Sequence, residues 1–169
     1  CVRRPGVYEV PFGVTIRDLL MLDGGVLGGG EPAAILVGGA AGSFVTAEQL
    51  ELPLTFEDTR RVGITLGSGA LTVFDEAVDL GDVVRRSAAF FRDESCGQCV
   101  PCRIGTVRQE EALHRLAKAN GNTAEEFVIL DDITRAMTDA SICGLGQTAG
   151  SAVLSAITLG LRNSGRSTT

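Results

Sequence analysis

The chain has 169 residues, with 15 Lys+Arg against 21 Asp+Glu and a formal net charge of −6. That acidic balance argues against a nucleic-acid or polybasic membrane surface, both of which need cationic excess. The 44% hydrophobic content excludes wholesale disorder. Seven Phe, one Tyr and no Trp leave few platforms for stacking bases, and the 22 glycines follow no collagen period.

The first part of the chain reads as short strands and turns around one helix. Pro5-Gly6 is a turn, and Val7-Tyr8-Glu9-Val10 alternates as a half-buried strand does. Over 15–22, Ile16, Leu19 and Leu20 share a helical face that Gly24-Gly25 brings to an end. Strands are expected at 34–37 and 44–46 around Gly38-Gly39, and at 64–66 and 70–74 around Gly67-Ser-Gly69. This pattern predicts a small α+β unit, which we read as β-grasp-like, over residues 1–76.

From about Asp79 the apolar period becomes 3.6. Leu80, Val84, Ala88 and Phe91 face one way on a first helix. Ile104, Val107, Leu113, Leu116 and Ala117 mark a second, stopped at Gly121. Thr123-Ala-Glu-Glu126 reads as a capping box before a third with Phe127, Leu130, Ile133 and Met137 on its buried side. Val153, Leu154, Ile157 and Leu161 mark a fourth, and the polar tail 163–169 is expected to fray. The expectation for 77–169 is therefore a four-helix bundle.

The apolar stretch closest to membrane-spanning length, 26–45, is broken by glycines, Glu31 and Pro32, so no direct membrane insertion is expected. No secretory signal opens the chain, and its first residue is Cys1, as in a processed or excerpted polypeptide. Five cysteines, three of them crowded into Cys96-Gly-Gln-Cys99-Val-Pro-Cys102, suit a metal site in a reducing compartment better than a disulfide framework. Together these features point to the cytoplasm.

Two-residue spacings let a tight loop offer three thiolates to three corners of one iron–sulfur cube. Gly97 permits the bend, and Pro101 breaks a helix entering from upstream. Cys143, 41 positions after Cys102, is the fourth candidate, set in Ser141-Ile-Cys-Gly-Leu-Gly146 between the third and fourth helices. A helical hairpin would return that loop beside the first three. Gly144 and Gly146 suit close backbone approach. A C-x₃-C-P continuation after Cys102 is absent, so a single cluster is expected. A Cys₄ zinc site stabilising a protein-interaction module without redox role, and a set of redox thiols, remain as alternatives.

Gly97, Gln98, Pro101, Arg103 and Gly144 are candidates for the surroundings of the cluster, with Gly105 and Thr106 opening the second helix. The glycines at 24–30 follow a helix instead of a strand, the reverse of a dinucleotide loop. His114 reads as an ordinary surface or packed histidine. The pairs Glu110-Glu111, Glu125-Glu126 and Asp131-Asp132 read as solvated faces, and Cys1 as structural.

The motifs Glu94-Ser-Cys-Gly-Gln-Cys-Val-Pro-Cys-Arg-Ile-Gly-Thr106 and Ser141-Ile-Cys-Gly-Leu-Gly-Gln-Thr-Ala149 resemble the iron–sulfur region of the NADH-oxidising flavoprotein subunit of respiratory complex I. The same region occurs in the flavin subunits of NAD-linked formate dehydrogenases and hydrogenases, to which Ile104 and the run from Cys143 to Thr148 are nearer. Arg4-Pro-Gly-Val-Tyr-Glu-Val-Pro-Phe-Gly13 and Leu66-Gly-Ser-Gly-Ala-Leu-Thr-Val-Phe-Asp75 resemble the soluble-ligand-binding β-grasp domain that precedes it. Gly39-Ala-Ala-Gly42 departs from the Gly-Pro loop of those relatives, so no flavin-domain contact is carried over to it.

The resemblance implies that Cys96, Cys99, Cys102 and Cys143 ligate one [4Fe–4S] cluster that takes single electrons from a reduced flavin. It implies an upstream domain binding FMN and NAD(H), outside this chain, which would open within the first β-grasp strand. It also implies partners: a thioredoxin-like [2Fe–2S] subunit and a larger iron–sulfur subunit, in a complex that is cytoplasmic or peripheral on the cytoplasmic face. By itself this stretch is not expected to oxidise NADH.

Overall fold

A computed structural model describes residues 1–118 and 124–160. The chain divides into two compact units, 1–78 and 79–169. The expected helix stop at Gly121, the capping-box residue Thr123, Leu161 and the polar tail all lie outside the described residues.

In the first unit, α1 (Ile16–Leu22) starts where Thr15 and Asp18 close a capping box: the Asp18 N–H donates to the Thr15 hydroxyl, and the Thr15 N–H donates to the Asp18 carboxylate. The helix ends at Gly24 and Gly25, both at positive φ, where a side chain would be strained. Strands β1 (Ala34–Val37), β2 (Ser43–Val45) and β3 (Leu71–Phe74) form an antiparallel sheet in the order β2-β1-β3. Ile35 stands opposite both Val45 and Val73, so three apolar side chains line up across one sheet face. With Val37 they pack against Ile16 and Leu20 of α1 and against Leu50, Leu54 and Ile64. Each fully buried aliphatic of this kind is worth roughly 1.5–3 kcal/mol relative to exposure.

Two expected strands are absent. Residues 7–10 alternate in sequence but find no partner edge: Val7 is fully exposed, and the segment runs between Pro5 and Pro11 without a ladder. Residues 64–66 place Ile64 in the core, yet their backbone is engaged elsewhere. The Ile64 N–H donates to Thr59 O at 2.9 Å, and the turn that follows lies against the backbone of Gly38. A short helix not anticipated from the sequence, α2 (Phe56–Arg61), precedes them, with Thr55 as N-cap accepting from the Asp58 N–H.

The second unit has five helical segments among the described residues: α3 (Leu80–Glu94), α4 (Val100–Lys118), α5 (Ala124–Ala140), α6 (Gly144–Thr148) and α7 (Ser151–Thr158). On α3 the expected stripe is observed, with Val84, Ala88 and Phe91 buried. On α4 it is not. Ile104 and Val107 are exposed, and the buried side carries Cys102, Gly105, Thr106, Gln109, Ala112 and Leu113.

Size favours burial of the largest apolar side chains, whereas the helices in contact here meet through small and polar ones. Gly105 lies under Met137 of α5, and Gln109 donates to Ala149 O at 3.3 Å. Two of the three acidic pairs are also more than solvated faces. Glu110 pairs with Arg92 and joins α4 to α3, while Glu126 takes two bonds from Arg115, at 2.6 and 2.9 Å, and joins α5 to α4. His114 is exposed, 3.7 Å from Glu110.

Candidate metal centre

Helix α4 begins at Val100, five residues before the expected start at Gly105. Cys99 therefore occupies the N-cap position: its carbonyl accepts the Arg103 N–H at 3.0 Å. Pro101 does not interrupt this helix. It sits in the first turn, where its missing N–H has no intrahelical partner to lose. Cys102 is one residue further on and buried, while Gly105 and Thr106 lie in the second turn. Upstream, α3 ends at Ser95, and Gly97 turns the chain with φ +72°. Only a residue without Cβ adopts that conformation without strain.

The second loop reaches this corner through α5. The Ser141 N–H donates to Met137 O at 3.1 Å, and the Gln147 side chain donates to Ser141 O at 3.0 Å, which holds residues 141–147 in a compact turn. Cys143 is the N-cap of α6, its carbonyl accepting the Gln147 N–H at 3.2 Å. The Cys99 thiol is held below its ordinary range, first by the backbone N–H of Ile142 and then by that of Cys102, against an opposing effect of burial. One loop thus supplies the sulfur and the other an N–H beside it. Gly146 completes the contact: a Cβ there would stand 2.4 Å from Ser141 Oγ and 2.9 Å from Cys102 Cβ.

The contacts join Cys99 and Cys102 to residues 141–146, while Cys96 and Cys143 are exposed beside them along the chain. Among the described residues no three His, Cys, Asp or Glu side chains are gathered as ligands of one metal ion. Of the expected neighbours, Arg103 is exposed and reaches Gly97 O at 3.4 Å, Gln98 is exposed, and Gly144 has open space where a Cβ would stand. Cys1 is remote in sequence and donates from its thiol to Val73 O within the first unit.

Two further residues belong to this corner that the cysteine spacing does not point to. Ser95 Oγ lies 3.3 Å from Cys102 Sγ. Ser141 Oγ is buried beside Gly146 without a hydrogen-bond partner. A hydroxyl one residue before Cys96 and another two before Cys143 were the available signals.

Residues 82–159 match the family described as the NADH-ubiquinone oxidoreductase-F iron-sulfur binding region. That stretch lies within the helical unit. The iron–sulfur binding region and the unit before it are together similar to longer proteins. The chain is 40% identical over 156 residues to the F subunit of the NADH-quinone oxidoreductase of Mycobacterium bovis, covering 92% of this chain and 35% of the relative. It is 32% identical over 155 residues to the HndC subunit of the NADP-reducing hydrogenase of Solidesulfovibrio fructosivorans, covering 91% and 31%.

Among solved structures, an NAD+-reducing [NiFe]-hydrogenase in the H2-reduced state superposes with a TM-score of 0.80 at 34% identity, over 93% of this chain and 26% of that one. The chain thus spans about a third of the length of the curated relatives it matches. Relatives of both the quinone-reductase and the hydrogenase kind are represented, and identity to the mycobacterial NADH-quinone oxidoreductase exceeds that to the two hydrogenases.

Proposed function

We propose that this chain is the electron-relay region of an NAD(H)-linked oxidoreductase, holding one [4Fe–4S] cluster on Cys96, Cys99, Cys102 and Cys143. The observation that carries the reading is the meeting of the two cysteine loops within a matched iron–sulfur binding region: Gly146, three residues after Cys143, lies so close to Cys102 that a Cβ there would stand 2.9 Å from Cys102 Cβ. When bound, such a cluster accepts and releases one electron at a time.

The chain's own residues suit it. Cys99 occupies the N-cap of α4, where backbone N–H groups and the positive end of the helix favour a thiolate, and Cys143 occupies the N-cap of α6. Gly146 leaves a cradle that a Cβ would fill, and the Ser141 hydroxyl is buried with its hydrogen-bonding capacity unused. Cys102 and the packed face of α4 shield one side from water, and Arg103, tethered to Gly97 O, places positive charge at the outer rim.

In this reading residues 1–76 are a β-grasp, soluble-ligand-binding module, supported by α1 packed on the three-stranded sheet. Residues 77–169 are a four-helix bundle whose fourth arm is the α6–α7 pair. FMN and NAD(H) belong to an upstream flavin domain. The onward partners are a thioredoxin-like [2Fe–2S] subunit and a larger iron–sulfur subunit in a cytoplasmic complex, free or peripheral on the membrane. Among the described residues no helix is long and apolar enough to cross a membrane. The zinc-stabilised interaction module gains no support from a region matched as iron–sulfur binding.

The test is iron, zinc and acid-labile sulfide analysis of anaerobically prepared chain, with low-temperature EPR after dithionite. About four iron and four sulfide per chain with a reduced-cluster signal is the expected result. One zinc without sulfide, persisting through iron reconstitution, overturns it.

A further inference from the structure

We propose that Ser95 and Ser141 are positioning residues that donate hydrogen bonds to the sulfurs of the cysteine site and so set the ease with which it accepts an electron. The inference rests on the cluster reading above and deepens it.

Ser95 Oγ and Cys102 Sγ are 3.3 Å apart, a contact in which either atom is able to donate when both carry protons. A metal-ligating cysteine has lost its proton, so in the loaded site only the serine donates. The same Oγ accepts the Gly97 N–H at 3.4 Å, which leaves the hydroxyl proton free to be donated to sulfur. Ser95 is fixed in place as the residue that caps α3, its own N–H bonded to Arg92 O.

Ser141 reaches the site from the other loop. Its hydroxyl is buried with no hydrogen-bond partner, an arrangement costly unless an acceptor arrives. It lies 2.4 Å from the point a Gly146 Cβ would occupy, a point itself 2.9 Å from Cys102 Cβ. The missing acceptor is therefore to be sought at the cysteine sulfurs.

Reduction adds negative charge to the sulfurs, so a donated hydrogen bond stabilises the reduced state more than the oxidised one. Removing either hydroxyl should make the site harder to reduce. The expected change is about tenfold in the reduction equilibrium constant per hydroxyl, which for one electron is about 59 mV toward the negative.

The experiment is an EPR-monitored redox titration of the reconstituted full chain, comparing wild type with Ser95→Ala, Ser95→Thr and Ser141→Ala. Iron and sulfide are counted in each, and exchangeable-deuteron couplings are recorded in D₂O. Support consists of full cluster content, a midpoint lowered in both alanine variants, loss of one deuteron coupling in each, and recovery in Ser95→Thr. Unchanged midpoints and couplings with full cluster content overturn the inference while leaving the cluster assignment intact. If an alanine variant loses its cluster while Ser95→Thr titrates unlike wild type, the residues are structural and the inference fails. A wild type that takes up no cluster defeats the underlying reading instead.

Discussion

Replacing Gly146 by alanine tests whether the two cysteine loops are pressed together as described. The new Cβ would stand 2.4 Å from Ser141 Oγ, 2.6 Å from Ser141 Cβ and 2.9 Å from Cys102 Cβ. Two of these atoms are Cβ carbons fixed to backbone, so relief requires the 141–143 loop or the first turn of α4 to move. Overpacking of this type costs about 1–3 kcal/mol, against a gain of roughly 0.5–1 kcal/mol for removing a helical glycine.

The expected net loss is about 1–2 kcal/mol, together with poorer iron and sulfide retention because Cys102 is one of the displaced groups. Gly144→Ala is the matched control. It lies in the same five-residue helix, meets nothing within 4 Å, and should leave stability unchanged or slightly raised. The assay is urea unfolding followed by far-UV circular dichroism, paired with iron analysis. Equal midpoints and equal iron content for the two variants would refute the packing argument.

Cys143→Ser should lower iron and sulfide content and abolish the normal reduced-cluster EPR signal; a spectrum and metal count equal to wild type would exclude Cys143 as a ligand. Gly150→Ala should destabilise more than Gly105→Ala by about 1 kcal/mol in the same urea assay. At Gly150 the Cβ meets Thr134, a short β-branched side chain, at 2.3 Å, whereas at Gly105 it meets Cγ of the longer, unbranched Met137 side chain at 2.4 Å. The Arg115 hydrogen bonds hold the Glu126 carboxyl below its ordinary range, so its contribution is present at neutral pH and is lost as pH falls through the folded-state value. Glu126→Gln should therefore cost about 0.5 kcal/mol near pH 7 and nothing in acid, measured by urea midpoints across pH. Thr15→Ala should cost about 1 kcal/mol by removing the capping hydroxyl of α1, read from the same unfolding curves.

Much of the site is legible in the linear order of residues. Cys96, Cys99 and Cys102 are close because the chain makes them close, and a C-x₂-C-x₂-C spacing carries its chemistry with it. Capping residues, glycine stops and the α3 stripe are legible for the same reason, since each is a relation among residues within a few positions. What failed had non-local causes. Whether 7–10 becomes a strand depends on an edge that its own residues cannot supply, and the alternation Val-Tyr-Glu-Val is silent about that. The short helix α2 is the exception, since its signal is local: Thr55 caps it by accepting from the Asp58 N–H three residues on.

Tertiary structure alone decided which side of α4 is inside. By size, Ile104 and Val107 looked buried; in the fold, Gly105, Thr106 and Gln109 are, because close helix contacts favour small volumes and a polar group that finds a carbonyl. It also decided that Ser95 stands over Cys102, and that Gly146 must remain without a side chain. The sequence by itself determined which sulfurs are available and that three of them crowd together. Bringing the 141–146 loop against that triplet requires α4 and α5 to pack, and the contacts that shape the sulfurs' surroundings arise only from that packing.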